Sequence, residues 1–207
     1  MQTDLDDAED DDLLERMLRG DEAALLVLYR RRQGGVYRFA LRMSGSEAAA
    51  EDVTQEVFLT LMREGGRYDR SRGSVATYLY GIARNHVLRW LDRNRSDVPL
   101  AQESSNACPV PGPLIASDDP LGAVTRREVV EAVRQAVLAL PPRYREVIVL
   151  CELEEMDYQA AADVLGCALG TVRSRLHRAR ALLTDKLRSS GAITGWAGKP
   201  DAARCAT

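Results

Sequence analysis

The segment from Asp157 to Leu187 constrains the fold more than any other part of this chain. Its periodicity indicates two helices joined by a sharp turn. Ala162 lets the two helices touch, Gly166 takes the unusual backbone angles of the turn, and Val172 seats the second helix on the first. The segment therefore predicts a helix-turn-helix.

The second helix of this motif has an apolar face and a basic face. At about 100° per residue, the apolar stripe consists of Val172, Leu176, Ala179 and Leu183. The opposite face carries Arg173, Ser174, His177 and Arg178, with Arg175 and Arg180 on its flanks. Burial of the apolar stripe turns the basic face outward, as a helix that binds in the major groove of DNA requires. The alternative is a basic helix that is merely solvated on the surface of a bundle.

Composition favours helices and argues against a membrane protein. Aromatic residues make up 5% of the chain, while Ala, Leu, Val and Arg are abundant. No apolar run approaches the roughly 20 residues of a membrane span, and the acidic N-terminus is unlike a signal peptide. We therefore expect a cytoplasmic protein without direct membrane contact. The four cysteines show no CxxC spacing and no nearby histidines, so we expect no metal site and no other cofactor.

The net charge of −3 is distributed unevenly. The first twelve residues hold seven acidic side chains and no basic one, which leaves +4 for the remainder. Residues 1–12 are predicted to form a disordered acidic tail. A second hypothesis is that this tail competes with phosphate and so weakens indiscriminate DNA binding.

A proline-rich stretch divides the chain into two helical domains. Helical patterning covers residues 13–95 and returns over 121–188, while residues 96–120 hold five of the eight prolines and lack hydrophobic periodicity. We predict an all-α fold of two small helical domains, a flexible linker and a disordered tail over 189–207. The linker reaches ~80 Å at full stretch, so the two domains can contact DNA sites about two helical turns apart.

The helix that follows Ser46 shows a second candidate binding face. Ser46 is suited to cap this helix, whose buried stripe is predicted to be Ala50, Val53, Val57 and Leu61. On the far side, an acid, an amide and two large apolar groups share one face: Asp52, Gln55, Leu59 and Met62. Such a face is typical of a protein-binding helix. The alternative is that the small domain buries both sides of this helix.

The next helix, over residues 74–95, has features of a single-strand binder. Its inner stripe is predicted to be Val75, Leu79, Ile82, Ala83 and Trp90, with His86 on the same side. Another face carries an aromatic, an amide and basic groups: Tyr78, Asn85, Arg89 and, nearby, Arg84. Such groups suit unstacked bases and phosphates, and the preceding loop, with Tyr68 at its middle, is suited to cradle a base. A solvated basic face is the alternative.

Together, these segments resemble a small sigma factor of the extracytoplasmic-function type, within the bacterial sigma-70 family. Residues 50–61 (AEDVTQEVFLTL) resemble the motif that grips the clamp helices of core RNA polymerase. Residues 78–85 (YLYGIARN) resemble the helix that opens and reads the minus-ten promoter element. Residues 140–150 (LPPRYREVIVL) and 170–180 (GTVRSRLHRAR) resemble the domain that reads the minus-thirty-five element. The resemblance covers about residues 13–188.

The resemblance implies a non-catalytic protein that binds core polymerase, directs initiation to specific promoters and opens the DNA. It implies polymerase contacts at Asp52, Gln55 and Glu56, on a face that also carries Leu59 and Met62. The implied minus-ten contacts are Arg67, Tyr68, Tyr78, Arg84, Asn85 and Arg89. The implied minus-thirty-five contacts are Thr171, Arg173, Ser174, Arg175, His177 and Arg178. Further implied partners are the polymerase flap and an anti-sigma factor, and the free protein is expected to be a monomer.

Several positions depart from the family pattern. Val75 and Tyr78 stand where phenylalanine and tryptophan are usual, which reduces the surface for stacking melted bases. Arg89 replaces a common acidic residue and adds positive charge beside the DNA. Residues 160–162, all alanine, replace Glu-Ile-Ala, which removes a large apolar contact and a glutamate that can position a base contact. An unusual upstream-element preference is therefore expected.

Two other functions fit parts of the sequence. A stand-alone helix-turn-helix regulator that binds duplex DNA as a dimer would carry a similar basic helix. It would need neither the motif at residues 50–61 nor the aromatic and basic surface of the next helix. A metal-dependent nuclease that uses Asp52, Glu56 and His86 is disfavoured because His86 is predicted to point inward and neither helix carries a metal pair on one face.

Overall fold

The structure is a computed structural model that describes residue 5 and residues 7–96 and 120–189. Every regular element in these ranges is helical, so the predicted all-α fold is confirmed. The α-helices are α1 (Asp10–Leu18), α2 (Glu22–Ser44), α3 (Glu47–Glu64), α4 (Val75–Ser96), α5 (Pro120–Leu138), α6 (Pro142–Ile148), α7 (Tyr158–Leu165) and α8 (Leu169–Ser189). The predicted linker and C-terminal tail lie outside the described residues over 97–119 and 190–207. Within the described part, no helix has the length and apolar run that a bilayer crossing needs.

The first module consists of α2, α3 and α4 packed around an apolar core that α1 closes. Its most completely buried large side chains are Leu13, Leu14, Leu28, Phe39, Met43, Leu61 and Leu79. The ring of Phe39 packs edge-on against Tyr80, with centroids 5.5 Å apart. α3 begins where the sequence predicts, because the Ser46 hydroxyl accepts a hydrogen bond from the N–H of Ala49 at 3.3 Å.

The buried stripe of α4 differs from the predicted one near its C-terminal end. The stripe consists of Val75, Leu79, Ala83 and Val87. Ile82 and Trp90 are only half-buried, and so is His86. Residues four apart form the ridge that packs into the groove of a helix crossing at an angle, which places Val87 in the core instead of Ile82 or Trp90.

The second module consists of α5 to α8 and contains the predicted helix-turn-helix. α7 and α8 are joined by a turn at Gly166, whose φ of 62° lies in the left-handed region. Asp157 caps α7 by accepting hydrogen bonds from the N–H groups of Gln159 and Ala160, both at 2.9 Å. A π-helical turn over residues 149–153 follows α6.

Part of the predicted acidic tail is helical. Asp10, Asp11 and Asp12 form the first turn of α1, where carboxylates interact favourably with the helix dipole. Asp10 pairs with Arg31 at 2.7 Å and also with Arg32, both on α2. These ion pairs join parts of the chain far apart in sequence, so local composition did not indicate them. The tail prediction is therefore wrong for these three residues.

Candidate nucleic-acid interface

The second helix of the helix-turn-helix, α8, presents a basic face to solvent. Its apolar stripe is buried against α6 and α7 through Val172, Leu176 and Ala179. The opposite side exposes Arg173, Ser174, His177 and Arg178, so the predicted orientation of α8 is confirmed. Thr171 is half-buried at the start of the helix, and its carbonyl accepts a hydrogen bond from the Ser174 hydroxyl at 3.0 Å. Guanidinium and hydroxyl groups on one helix face are the donors that bind phosphates and base edges; these DNA contacts stay a prediction.

Three arginines of α8 have partners inside the protein: Arg180 pairs with Glu152, and the other two contact residues of α6. The half-buried Arg175 lies 3.6 Å from a carboxylate oxygen of Glu146 on α6. Arg178 donates a hydrogen bond to the phenol of Tyr144, and this bond is the largest cause of the lowered pKa of that group. Both contacts hold α8 against α6. Arg175 therefore has an acidic partner within the protein, whereas Arg173 remains exposed.

A cavity of about 1000 Å³ lies between the two modules. One wall contains four of the predicted minus-ten residues, namely Arg67, Tyr68, Tyr78 and Asn85. The opposite wall consists of residues of α7 and of the turn that follows it, between positions 159 and 168. The structure therefore brings these four predicted residues together, but on a surface that faces the helix-turn-helix. Arg89 is exposed on α4 and does not line the cavity.

Two tyrosines form an aromatic platform in this cavity. The rings of Tyr68 and Tyr78 are tilted against each other, with centroids 5.6 Å apart. The Tyr68 hydroxyl lies 2.8 Å from the carbonyl of Gly73 and also hydrogen-bonds to Asp11. Burial raises the pKa of Tyr68, and the hydrogen bond to Asp11 adds to the shift. A tyrosine that is neutral and fixed by hydrogen bonds has a ring suited to stacking against a base.

N-terminal carboxylates lie next to this loop, a placement that the sequence analysis did not predict. Arg70 lies 3.4 Å from a carboxylate oxygen of Asp11 and 3.5 Å from one of Glu9. Arg67 pairs with Glu64 at 2.6 Å. Arg67 and Arg70 of the loop are therefore paired with carboxylates in the structure. This proximity is what the phosphate-competition hypothesis requires, and the hypothesis itself stays a prediction.

Arg84 is also turned away from solvent. Its Nε lies 2.8 Å from one carboxylate oxygen of Glu146 and its terminal nitrogen 3.4 Å from the other. Glu146 is almost fully buried and was missed as a functional candidate. The available signal was the charged pair Arg145 and Glu146 directly before the apolar residues 147–150, because charges that become buried require partners.

The predicted protein-binding face of α3 is exposed. All five of its residues, Asp52, Gln55, Glu56, Leu59 and Met62, are accessible to solvent. The two apolar members are unusually open, with 37% of Leu59 and 53% of Met62 exposed. The alternative in which the domain buries both sides of α3 is therefore wrong.

This face continues into a groove between α2 and α3 that the sequence did not reveal. The groove has a volume of about 1000 Å³ and is lined on one side by Gln55, Leu59 and Met62. The α2 side contributes Leu26, which is 44% exposed, and Tyr29, whose ring packs against Phe58. Apolar groups rimmed by polar ones mark a site for a protein partner.

The groups named in the nuclease hypothesis do not form a recognisable reactive centre. In residues 7–96 and 120–189, no three His, Cys, Asp or Glu side chains are grouped so as to hold a metal ion. Burial lowers the pKa of His86, and the positive charge of Arg89 lowers it further. His86 therefore has the character of a neutral residue at the edge of the core.

A helix-turn-helix with an outward basic helix is joined to a module with an exposed, partly apolar helix face and two packed tyrosines. This combination suits a two-module promoter-recognition protein. Family models agree with this division, since Sigma-70 region 2 matches residues 28–96 and Sigma-70 region 4 matches residues 130–183. The chain belongs to the extracytoplasmic-function group of the sigma-70 family. As a sigma factor, it directs promoter-specific initiation by RNA polymerase.

Curated relatives support the same family. The sigma-E factor of Escherichia coli K12 is 33% identical, over 84% of this chain and 92% of the relative. The sigma-H factor of Pseudomonas aeruginosa is 31% identical, over 86% and 94%. SigE of Mycolicibacterium smegmatis is 35% identical over 81% of this chain, which spans only 64% of that relative's length.

Solved structures share the fold. CnrH, in complex with the cytosolic domain of CnrY, matches with a TM-score of 0.62 and 24% identity over 86% of this chain and 96% of CnrH. RpoE of Bartonella quintana, in complex with the anti-sigma factor NepR, matches with a TM-score of 0.60 and 22% identity over 75% and 91%. At this level of identity the matches show the fold alone.

Proposed function

We propose that this chain performs its sigma-factor role through three separate surfaces. The exposed face of α3 and the adjoining groove bind core RNA polymerase, the α4 surface holds melted minus-ten DNA, and α8 reads the minus-thirty-five element. The observation that carries the proposal is the first module, which combines an exposed face of apolar and polar groups on α3 with two packed tyrosines, Tyr78 on α4 and Tyr68 in the preceding loop. A regulator that only binds duplex DNA needs neither.

The polymerase surface combines apolar area with hydrogen-bonding groups. Leu59, Met62 and Tyr29 supply the apolar contact, while Asp52 and Gln55 supply the polar contacts that set orientation. The partner is the clamp of the core enzyme. The flap of the polymerase is the proposed partner of the second module.

The minus-ten surface acts through binding energy. Tyr68 and Tyr78 stack unpaired bases, Asn85 hydrogen-bonds to a base edge, and Arg84 and Arg89 pair with phosphates. No bond is made or broken by the protein, so the chain is not an enzyme. The cytoplasm is its place of action because the polymerase and the chromosome lie there, and an anti-sigma factor is a further proposed partner of the monomeric chain.

The upstream surface yields a direct test in α8. Arg173→Ala and Arg178→Ala should each lower transcription from a promoter recognised by this protein by about tenfold, since one base or phosphate contact contributes about 1–3 kcal/mol. Co-elution with core polymerase should not change. The control is Arg188→Ala, an exposed arginine at the end of the same helix. An equal loss of polymerase binding would show that this face has another role.

The proposed function itself is tested by transcription of sheared genomic DNA. Core polymerase with this protein should produce RNA 5′ ends that cluster downstream of one shared two-element motif. Core polymerase alone should give no such cluster, and a housekeeping sigma factor should give a different one. If the folded protein binds duplex DNA but creates no new start sites, the stand-alone dimeric regulator becomes the better explanation.

A further inference from the structure

The loop over residues 65–73 connects α3 to α4 and rests on α1. Three apolar side chains of α1 lie against Gly65 at the start of this loop, namely Leu14, Met17 and Leu18. An added Cβ at Gly65 would meet each of them at 3.3–3.4 Å, so helix and loop are in close contact there. Because Leu14 is buried in the core, the loop is supported by a fixed element of the first module.

The first turn of α1 is fixed to α2. One carboxylate oxygen of Asp10 lies 2.7 Å from Arg31, and the other pairs with Arg32. Arg31 also donates a hydrogen bond to the carbonyl of Ala8 at 2.9 Å. Only 10% of the Asp10 side chain is exposed, and partly buried ion pairs are screened less than exposed ones. The next residue, Asp11, is therefore presented to the loop from a fixed position.

Asp11 contacts two side chains of the loop, one with each carboxylate oxygen. Oδ1 hydrogen-bonds to the hydroxyl of the half-buried Tyr68. Oδ2 lies 3.4 Å from Nε of Arg70, which is longer than a normal hydrogen bond. Because 68% of the Arg70 side chain is exposed and exposed ion pairs contribute little, the contact with Tyr68 is the stronger of the two.

The Tyr68 hydroxyl has a second acceptor at the end of the loop. It lies 2.8 Å from the carbonyl of Gly73, whose φ of 144° favours glycine. A phenol has one proton to donate, and a carboxylate is a stronger acceptor than a carbonyl. The proton is therefore directed to Asp11. In this position the ring of Tyr68 packs against that of Tyr78, with centroids 5.6 Å apart.

We propose that Asp11 is a positioning residue of the minus-ten surface, whose hydrogen bond fixes the ring of Tyr68 beside that of Tyr78. The inference rests on the proposed function, which assigns the stacking of unpaired bases to these two tyrosines. The ring is then ordered before a base arrives, so the base binds a preorganised surface. The acidic first turn of α1 thereby strengthens DNA binding, whereas the phosphate-competition hypothesis gives it the opposite effect.

The test uses polymerase holoenzyme that contains the full chain, bound to a pre-melted promoter identified by genomic transcription. Each template in a series carries an abasic site at one position of the non-template minus-ten strand. With the wild type, one position should lower the affinity most, by about tenfold, because a stacked base is lost there. Asp11→Ala should reduce this penalty to about threefold and leave the penalties at other positions unchanged. A merely structural role would not alter the profile at a single position.

The matched control is Asp12→Ala, which removes an exposed carboxylate from the same turn of α1. It should keep the wild-type profile. Asp11→Asn should retain most of the tenfold penalty, because its amide oxygen still accepts the phenolic hydrogen. Tyr68→Phe keeps the ring but should lose the penalty as Asp11→Ala does. The two changes combined should be no worse than either alone, since both remove one interaction.

Each variant is first titrated with core polymerase, which should bind all of them like the wild type. An unchanged abasic penalty in Asp11→Ala and Tyr68→Phe overturns the proposal. An equal rise in affinity for every template in Asp11→Ala and Asp12→Ala also overturns it, and favours phosphate competition. The wild type reports separately on the proposed function, because polymerase binding without any position sensitive to base removal would contradict base stacking itself.

Discussion

Replacing both Asp52 and Gln55 by alanine should lower the affinity of this protein for core RNA polymerase by about a hundredfold. Both side chains are exposed on α3, beside the apolar groove between α2 and α3. Two interface side chains that contribute about 1.4 kcal/mol each give two factors of ten. The free energy of unfolding should change by less than about 0.5 kcal/mol, because neither side chain packs in the core.

The measurement is a titration of labelled core polymerase with the full chain. A matched control is Glu131→Ala with Gln135→Ala, an acid and an amide that are exposed on α5 and hydrogen-bond to each other at 2.8 Å. The control should bind polymerase like the wild type. If control and test variants lose affinity equally, the polymerase contact does not lie on α3.

Arg145→Ala should lower the free energy of unfolding by about 3 kcal/mol. Arg145 is buried on α6 and donates hydrogen bonds to the carbonyls of Met43, Leu138 and Leu140. Met43 and Leu138 lie at the C-terminal ends of α2 and α5, where carbonyls lack partners within the helix and favour a positive charge. Alanine leaves these carbonyls without a donor and leaves a void where the arginine side chain was.

Arg143→Ala supplies the comparison for this change. Arg143 is exposed and stacks on the ring of Tyr144, 4.7 Å from its centroid. Its removal should cost no more than about 1 kcal/mol. Urea denaturation followed by circular dichroism measures both variants, and a similar small loss for the two would show that the Arg145 contacts are not needed for stability.

The local elements of this fold could be predicted because their causes are local. The turn at Gly166 needs only a residue that tolerates a left-handed backbone. Ser46 caps the helix that follows it by accepting a hydrogen bond from a residue only three positions later. The stripe of α8 follows from helical periodicity, and its burial leaves Arg173 and His177 facing solvent. The same reasoning placed Asp52 and Met62 on an open face of α3.

The sequence did not indicate the partners in sites that form between distant parts of the chain. Glu146 binds Arg84, 62 residues away, and Glu154 binds Arg42, 112 residues away. The groove between α2 and α3 likewise depends on how these two helices pack against each other.

The sequence by itself determined the helices, their exposed faces and the helix-turn-helix, since hydrogen bonds and periodicity within a few residues specify them. Only the tertiary structure decided which charges are buried and which surfaces of the two modules pack against each other. A buried charge is stabilised by whatever partner the packing of distant helices brings to it.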